Sequence, residues 1–294
     1  MPVYAQNPRA GAIAKQTSAH PGHGRFDDIV ALATSSDPWS PAVTAGVSLA
    51  SRWDASLTSC YVEPSLRRLA GVDSEPSALG FLLQPRGEDG GERAAFASLA
   101  HRLGVREAAW TVAHGGIAST LRQLGAWNDL AILERDMVQG SHLFDILGEA
   151  MLGCRIPCLV LPPRWYGELC LDLVAVCWDG SIESTRAMHA ALPFLLAANR
   201  VVLINGCPYA STEESSTPFD PVHYLLRHGI AARQRFIEVS PSLAGEVILR
   251  ETRDMGASLL VMGAYGHSRL RERVLGGATR HILEHAALPL LMQH

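Results

Sequence analysis

The sequence contains no apolar run as long as the roughly 18 residues that a membrane-spanning helix requires. Residues 1–24 also lack the continuous apolar block of a secretory signal, and they are expected to form a flexible polar extension. Neither sign of charge dominates, because the net charge is -4 and the pI is about 6.3. Bulk electrostatics therefore predict neither a nucleic-acid partner nor an anionic membrane partner. Together these absences predict a cytoplasmic protein.

The six cysteines include no Cys-x-x-Cys pair and no regular series of spacings, which argues against a disulfide framework or a zinc site. Several of them lie in apolar, strand-like runs such as CLVL and VAVC. The spacing of Cys154 and Cys158 would allow both thiols to bind one metal ion. The proline between them and the strand that follows instead favour thiols buried in the core. The pattern predicts reduced thiols at Cys60, Cys154, Cys158, Cys170, Cys177 and Cys207.

Two segments of the chain, one in each half, repeat the same pattern. Residues 26–38 (FDDIVALATSSDP) and residues 170–182 (CLDLVAVCWDGSI) each hold an apolar run that is entered through aspartate and left through turn-forming residues. A helical pattern follows each run (PAVTAGVSLASRW and ESTRAMHAALPFLLAA), and strands and helices then alternate, with about five strands in each half. This order predicts an α/β fold of two doubly wound, mainly parallel five-stranded sheets.

Two consecutive prolines, Pro162 and Pro163, stop the last strand of the first half and place the join between the halves nearby. The predicted organisation is a flexible extension over residues 1–25, a first domain over residues 26–163 and a second domain over residues 164–294.

Several spaced glycines follow an apolar strand pattern near the C-terminus, in LLVMGAYGHSRLRERVLGGATRHIL. Gly263 ends the strand, Gly266 comes three residues later, and Gly276 with Gly277 precedes a helical pattern. Unpaired N–H groups at a helix N-terminus suit a phosphate, and glycines let a loop fold over that anion. The alternative explanation is a loop glycine together with a close helix–sheet contact.

The corresponding stretch of the first half, DLAILERDMVQGSHLFDILGEAML, does not repeat this spacing of glycines. Glu134 stands where its strand ends, and most of the charges there are acidic. Ser35 aligns with Asp179 of the second half. The first half is therefore predicted not to bind a phosphate ligand.

The spacing G-x2-G-x9-G-G after a strand, followed by a helix and the short strand LPLLM, resembles the universal stress protein family, and the likeness covers both halves. The resemblance implies a tandem, Rossmann-like protein whose halves pack as an intramolecular pseudo-dimer through the terminal strands CLVLPP and PLLMQH. It also implies a stress-response regulator that binds ATP, with Mg²⁺, in its C-terminal domain and hydrolyses it slowly or not at all.

The family's nucleotide site maps onto particular residues of this chain. An aspartate after the first strand, here Asp179, holds the adenosine end, and backbone near Gly206 lines the adenine pocket. The glycine loop and helix start hold ribose and phosphates, which implies Gly263, Gly266, His267, Gly276, Gly277, Ala278 and Thr279. Nucleotide-binding members usually carry serine or threonine where this chain has Gly277, so one hydroxyl donor is missing, and Thr279 is a partial replacement.

Two other functions compete with nucleotide binding. One is a non-catalytic dimerisation or scaffold protein with a decayed pocket, and a homodimer is one expected assembly. The other is a binder of a different small ligand in the divergent first half, which is supported by the insertion-like segment 75–91.

Three further patterns have more ordinary explanations. His20 and His23 form the pattern H-x-G-H, which is a signature of nucleotidyltransferases when it follows the first strand. Here the pattern lies before any strand. His281, Glu284 and His285 spell H-x-x-E-H, yet they belong to the helix after the glycine pair and have no evident third metal ligand. Four arginines surround the glycine loop: Arg269, Arg271, Arg273 and Arg280. They are typical of a solvated helix face, and the alternative is that one of them binds a phosphate.

Overall fold

The computed structural model describes residues 24–68, 90–138, 142–207, 220–240, 242–264 and 277–294. Within these ranges ten strands alternate with nine α-helices. The strands are β1 (Asp28–Ala33), β2 (Ser56–Tyr61), β3 (Ala108–Val112), β4 (Leu130–Glu134), β5 (Cys158–Leu161), β6 (Leu173–Trp178), β7 (Arg200–Cys207), β8 (Ala232–Glu238), β9 (Leu259–Gly263) and β10 (Leu290–Gln293). The helices are α1 (Pro41–Trp53), α2 (Gly90–Arg102), α3 (Ile117–Gly125), α4 (Leu143–Cys154), α5 (Ile182–Ala190), α6 (Leu192–Ala197), α7 (Pro221–Arg227), α8 (Ala244–Asp254) and α9 (Gly277–His285).

All ten strands belong to one sheet, in the order β3-β2-β1-β4-β5-β10-β9-β6-β7-β8. Neighbouring strands are parallel within each half, whereas β5 and β10 pair antiparallel at the centre, with Leu291 opposite Leu159. The predicted α/β fold, with two parallel five-stranded halves in a pseudo-dimer, is confirmed. The structure adds that the two sheets are hydrogen-bonded into a continuous one.

Apolar layers cover both faces of the sheet, which explains the nearly unbroken apolar strand sequences. In β1, Ile29 and Ala31 face one layer, and Val30 and Leu32 face the other, as the alternation of side chains along a strand requires. The first layer is completed by α1, α2, α5, α6 and α7, and the second by α3, α4, α8 and α9. Both layers extend through both halves, so the halves share one core.

One predicted helix is divided in the structure. The pattern ESTRAMHAALPFLLAA predicts a single helix, but α5 ends at Ala190 and α6 begins at Leu192. Pro193 lies in the first turn of α6. Backbone N–H groups of a first turn have no acceptor within the helix, so a proline there costs no hydrogen bond. The proline therefore starts a new helix instead of continuing the old one.

A helix that crosses a bilayer is about 20 residues long and predominantly apolar. Within the described ranges, no helix combines the length and the apolar character that crossing a membrane requires.

Candidate functional site

Three adjacent strand ends form the edge of the C-terminal half where a ligand is expected. β6 is hydrogen-bonded between β7 and β9, and all three strands run in the same direction. Asp179 directly follows β6, Gly206 is the penultimate residue of β7, and Gly263 ends β9. The structure thus brings three of the predicted site residues to one edge, at the position where open α/β sheets bind ligands.

Asp179 is exposed at this edge and is oriented by the backbone of its own loop. Its Oδ1 accepts a hydrogen bond from the Ser181 N–H at 3.0 Å. Ser181 is the N-cap of α5, and its side-chain oxygen accepts from the Ser184 N–H at 3.1 Å. Because Ser181 caps the helix, the Asp179 carboxylate is held at the edge and is not used as the cap.

Gly263 is required by the close approach of β9 to the first turn of α5. A Cβ atom at this position would lie 2.6 Å from the Ser184 nitrogen and 2.7 Å from the Glu183 carbonyl carbon. These are backbone atoms, which cannot rotate away as the end of a flexible side chain can. Of the two explanations for this glycine, the structure supports helix–sheet packing.

The helical pattern after the glycine pair is present as α9. Since α9 connects the parallel strands β9 and β10, its N-terminus lies at the carboxyl edge of the sheet. Gly277 is exposed there, and a Cβ added to it would meet no atom of the described residues within 4 Å. Ala278 packs on α8, because a Cβ added to Gly245 would lie 3.0 Å from the Ala278 carbonyl oxygen. Thr279 is only 8% exposed, so its side chain is largely covered by the protein.

The remainder of the predicted glycine loop, Gly266, His267 and Gly276, lies outside the described residues, as do Arg269, Arg271 and Arg273. The fourth arginine, Arg280, is used elsewhere. Its Nε donates to the Glu284 carboxylate at 2.9 Å, and its guanidinium lies 5.5 Å from the centre of the Phe144 ring in α4. Arg280 therefore contributes to the contact between the two halves.

A second arginine anchors α9 from the other half. The Nη1 of Arg135, which follows β4, donates to the carbonyl oxygens of Leu283 and Ala286 at 3.0 and 2.7 Å. These carbonyls belong to the C-terminal end of α9, which favours a cation. Burial lowers the pKa of Arg135. The helix that begins at the candidate site thus ends on a contact with the N-terminal half.

In the N-terminal half a carboxylate occupies the corresponding strand end. Glu134, which ends β4 as Gly263 ends β9, is 5% exposed. Its Oε1 accepts from the Ala42 N–H in the first turn of α1 at 3.1 Å, and its Oε2 accepts from the Thr34 hydroxyl at 3.0 Å. The Ser40 hydroxyl is a further partner. Glu134 thus places its carboxyl oxygens at a helix N-terminus, where an anion is attracted.

The length of one loop makes room for this side chain. Residues 34–40 separate β1 from α1, whereas only residues 179–181 separate β6 from α5. Burial raises the pKa of Glu134, and the hydrogen bonds from Ala42, Ser40 and Thr34 oppose that shift. From the sequence, the acidic residue at the strand end indicated a poor phosphate site. Its hydrogen bonds to α1 were not foreseen, because they depend on where a distant loop puts that helix.

Of the histidine motifs that resemble catalytic or metal sites, the structure describes the one in α9. The rings of His281 and His285 stack with their centres 4.3 Å apart, and the His285 Nδ1 lies 2.9 Å from the carbonyl oxygen of His281. Across the described ranges, no group of three histidine, cysteine, aspartate or glutamate side chains is arranged to hold a metal. His20 and His23 lie outside those ranges.

A cavity of about 400 Å³ lies at the carboxyl edge of the N-terminal half. Arg67 lines it, but Nε and Nη2 of this guanidinium donate to the carbonyl oxygens of Val62 and Thr34, both at 2.7 Å. The arginine thus ties together the ends of β1 and β2. Most of segment 75–91, which suggested a separate ligand for this half, lies outside the described residues.

Comparison with known proteins places the C-terminal half in a family. The model of the universal stress protein family matches residues 172–294. A universal stress protein of Synechocystis sp. is 29% identical over 142 residues, which cover 46% of this chain and 46% of that protein. The match thus spans about half the length of this curated relative.

Solved structures resemble the chain over both halves. A protein of unknown function from Pseudomonas aeruginosa superposes with a TM-score of 0.60 at 12% identity, covering 91% of this chain and 92% of that one. A universal stress protein from Archaeoglobus fulgidus gives a TM-score of 0.56 at 10% identity, covering 90% and 96%. At such identities the likeness concerns the fold alone. The chain therefore shares this fold over both halves, and its residues 172–294 match the model of the universal stress protein family.

Proposed function

We propose that the protein is a stress-response regulator that binds ATP at the carboxyl edge of its C-terminal half. The observation that carries the proposal is the start of α9. Among the described residues, no atom lies within 4 Å of the position that a Cβ of Gly277 would take, and the neighbouring strand ends carry the exposed Asp179. N–H groups at a helix start are suited to a phosphate.

Three features of the described residues support an adenine nucleotide as the ligand. Asp179 is an exposed carboxylate oriented by the Ser181 N–H, which suits the hydroxyls of an adenosine group. A Cβ added to Gly206 would meet no atom within 4 Å in the part of the chain that the structure describes, so the backbone is open on that side. Gly277 and Ala278 supply amides of the first turn of α9 for phosphate oxygens. The proposed nucleotide would supply a polyphosphate tail and a bound cation, while these residues orient it.

Slow hydrolysis, or none, is part of the proposal. The single lysine of the chain is Lys15, in the N-terminal extension, so no Walker-type lysine accompanies the glycine loop. Binding without rapid turnover suits a regulator whose ligand reports a cellular state.

Substitution of Asp179 tests the site. We expect ATP with Mg²⁺ to raise the unfolding temperature of the protein, because a ligand that binds only the folded state stabilises it by mass action. Asp179→Ala should abolish this shift. The matched control is Ser35→Ala, which changes the aligned position of the other half and should leave the shift intact. No shift at millimolar ATP in the unmodified protein would favour the scaffold function instead.

Restoring the family's hydroxyl should strengthen binding. The open space at Gly277 accommodates a serine without a clash. A neutral hydrogen bond contributes about 0.5–1.5 kcal/mol, so Gly277→Ser is expected to lower the dissociation constant for ATP by up to about tenfold. Titration calorimetry of both proteins measures this directly. Gly277→Ala, which adds a side chain without a donor, is the control, and equal affinity of the serine and alanine variants would contradict a phosphate at this position.

A further inference from the structure

Two buried thiols face each other at the end of the N-terminal half. The Sγ atoms of Cys154 and Cys158 lie 3.4 Å apart, within hydrogen-bonding distance. Cys154 ends α4 and Cys158 begins β5, and their residues are 4% and 0% exposed. A disulfide bond has an S–S distance of about 2.05 Å, so closing this gap requires a displacement of little more than 1 Å.

Packing on both sides holds the two cysteines in place. A Cβ added to Gly125 in α3 would lie 2.8 Å from the Cys154 carbonyl oxygen and 3.2 Å from its Cβ, so α3 packs tightly on this turn. On the other side, Cys158 lies opposite Met292 of β10. The Gln293 side-chain amide donates to the carbonyl oxygen of Arg155, between the two cysteines, at 3.3 Å. The pair therefore lies at the join between the halves.

The two thiols are chemically unequal. The hydrogen bond from Cys158 lowers the pKa of Cys154, whereas the same contact and burial raise the pKa of Cys158. The thiolate is the reactive form of cysteine, so Cys154 is the better nucleophile of the two. By contrast, burial raises the pKa of both Cys60 and Cys177 to about 12, which leaves them as unreactive thiols in the same protein.

We propose that Cys154 and Cys158 are an oxidisable pair that forms a reversible intramolecular disulfide when the folded protein meets a hydroperoxide. Cys154 attacks one peroxide oxygen, the O–O bond breaks, and water leaves with the proton of the Cys154 thiol. Cys158 then attacks the resulting sulfenic acid, the S–O bond breaks, and a second water leaves with the Cys158 proton. Two thiols lose two electrons, and hydrogen peroxide is reduced to two molecules of water.

Peptide mapping tests this step. The folded Cys170→Ser protein, which lacks the thiol that is exposed among the described cysteines, is treated with hydrogen peroxide, alkylated in denaturant and digested with trypsin without reduction. Trypsin cuts after Arg155, so a disulfide links the peptides 136–155 and 156–164 into one species. We expect the loss of these two alkylatable thiols, full recovery after dithiothreitol, and retention of the thiols of Cys60 and Cys177.

Further measurements guard against a variant that fails to fold. In Cys158→Ser the linked peptides should disappear, and a dimedone adduct should mark the sulfenic acid on Cys154. If the linked species forms only when the unmodified chain is oxidised in denaturant, the folded arrangement does not promote the bond and the proposal is wrong. It is equally wrong if Cys60 and Cys177 are oxidised as fast as Cys154 in the folded protein.

Discussion

Replacing Gly263 by alanine is expected to lower the free energy of unfolding by about 1–3 kcal/mol, the usual cost of adding a methyl group to a fully packed site. The added Cβ would lie 2.6 Å from the Ser184 nitrogen, so either β9 or the start of α5 has to move. Because α5 and Asp179 share a short loop, the movement should also remove the thermal shift caused by ATP. Urea unfolding gives the stability, and the ATP shift is recorded on the same variant.

The matched control is Gly153→Ala in α4. A Cβ at Gly153 would meet no atom within 4 Å, so the same substitution is free of clashes there. Alanine is preferred to glycine within a helix by about 0.5–1 kcal/mol, and this variant should be as stable as the unmodified protein or more so. If both alanine variants unfold at the same urea concentration, the close approach at Gly263 is not a real constraint.

Replacing Glu134 by alanine is the second substitution with a large expected effect. It leaves the Ala42 N–H and the Thr34 hydroxyl without their acceptor in a buried place. An unsatisfied buried polar group costs about 1–3 kcal/mol, and the loss of stability should be of that order. Glu134→Gln keeps an acceptor of the same shape and should avoid most of the loss. Urea unfolding of the two variants measures the difference.

The charge of Glu134 adds a dependence on pH. Its pKa is raised in the folded protein because burial disfavours the carboxylate. Its contribution to stability is therefore complete below the pKa of the unfolded chain and is lost as the pH rises through the folded pKa. Compared with Glu134→Gln, the unmodified protein should become less stable between acidic and neutral pH. A stability difference that stays constant over this range would show that the carboxylate is not penalised by burial.

The contrast between Glu134 and Gly263 gives a physical reason for the different behaviour predicted for the two halves. In the N-terminal half, a carboxylate of the protein itself satisfies the start of the first helix, and a longer loop makes room for it. In the C-terminal half, Ser181 caps α5 and Gly263 lets β9 pack closely against the start of that helix. Asp179 and the start of α9 then lie at the carboxyl edge of the sheet. A nucleotide bound in the first half would have to displace a buried, hydrogen-bonded charge.

Much of the fold was predictable because the same pattern of strands and helices occurs in both halves of the sequence. The apolar runs at Ile29 and at Val174 predicted a buried parallel strand in each half, and the structure confirms both. The strand pattern placed Gly263 at the carboxyl edge of the sheet, and the family resemblance implied that Asp179 and Gly206 lie at the same edge. The reason for Gly263 was not predictable, since the spacing that suits a phosphate loop suits a close helix contact equally well.

The order of residues along the chain determined the number of strands in each half, their direction, the position of the glycine loop and the acidic residue that replaces it in the first half. These features depend on local pattern, which a linear sequence records. Only the tertiary structure decided that β5 and β10 join the halves into one sheet, that Arg135 anchors α9, and that Glu134 reaches the start of α1. Each of these contacts joins residues roughly ninety or more positions apart, and which of many possible partners meet depends on how the whole chain packs.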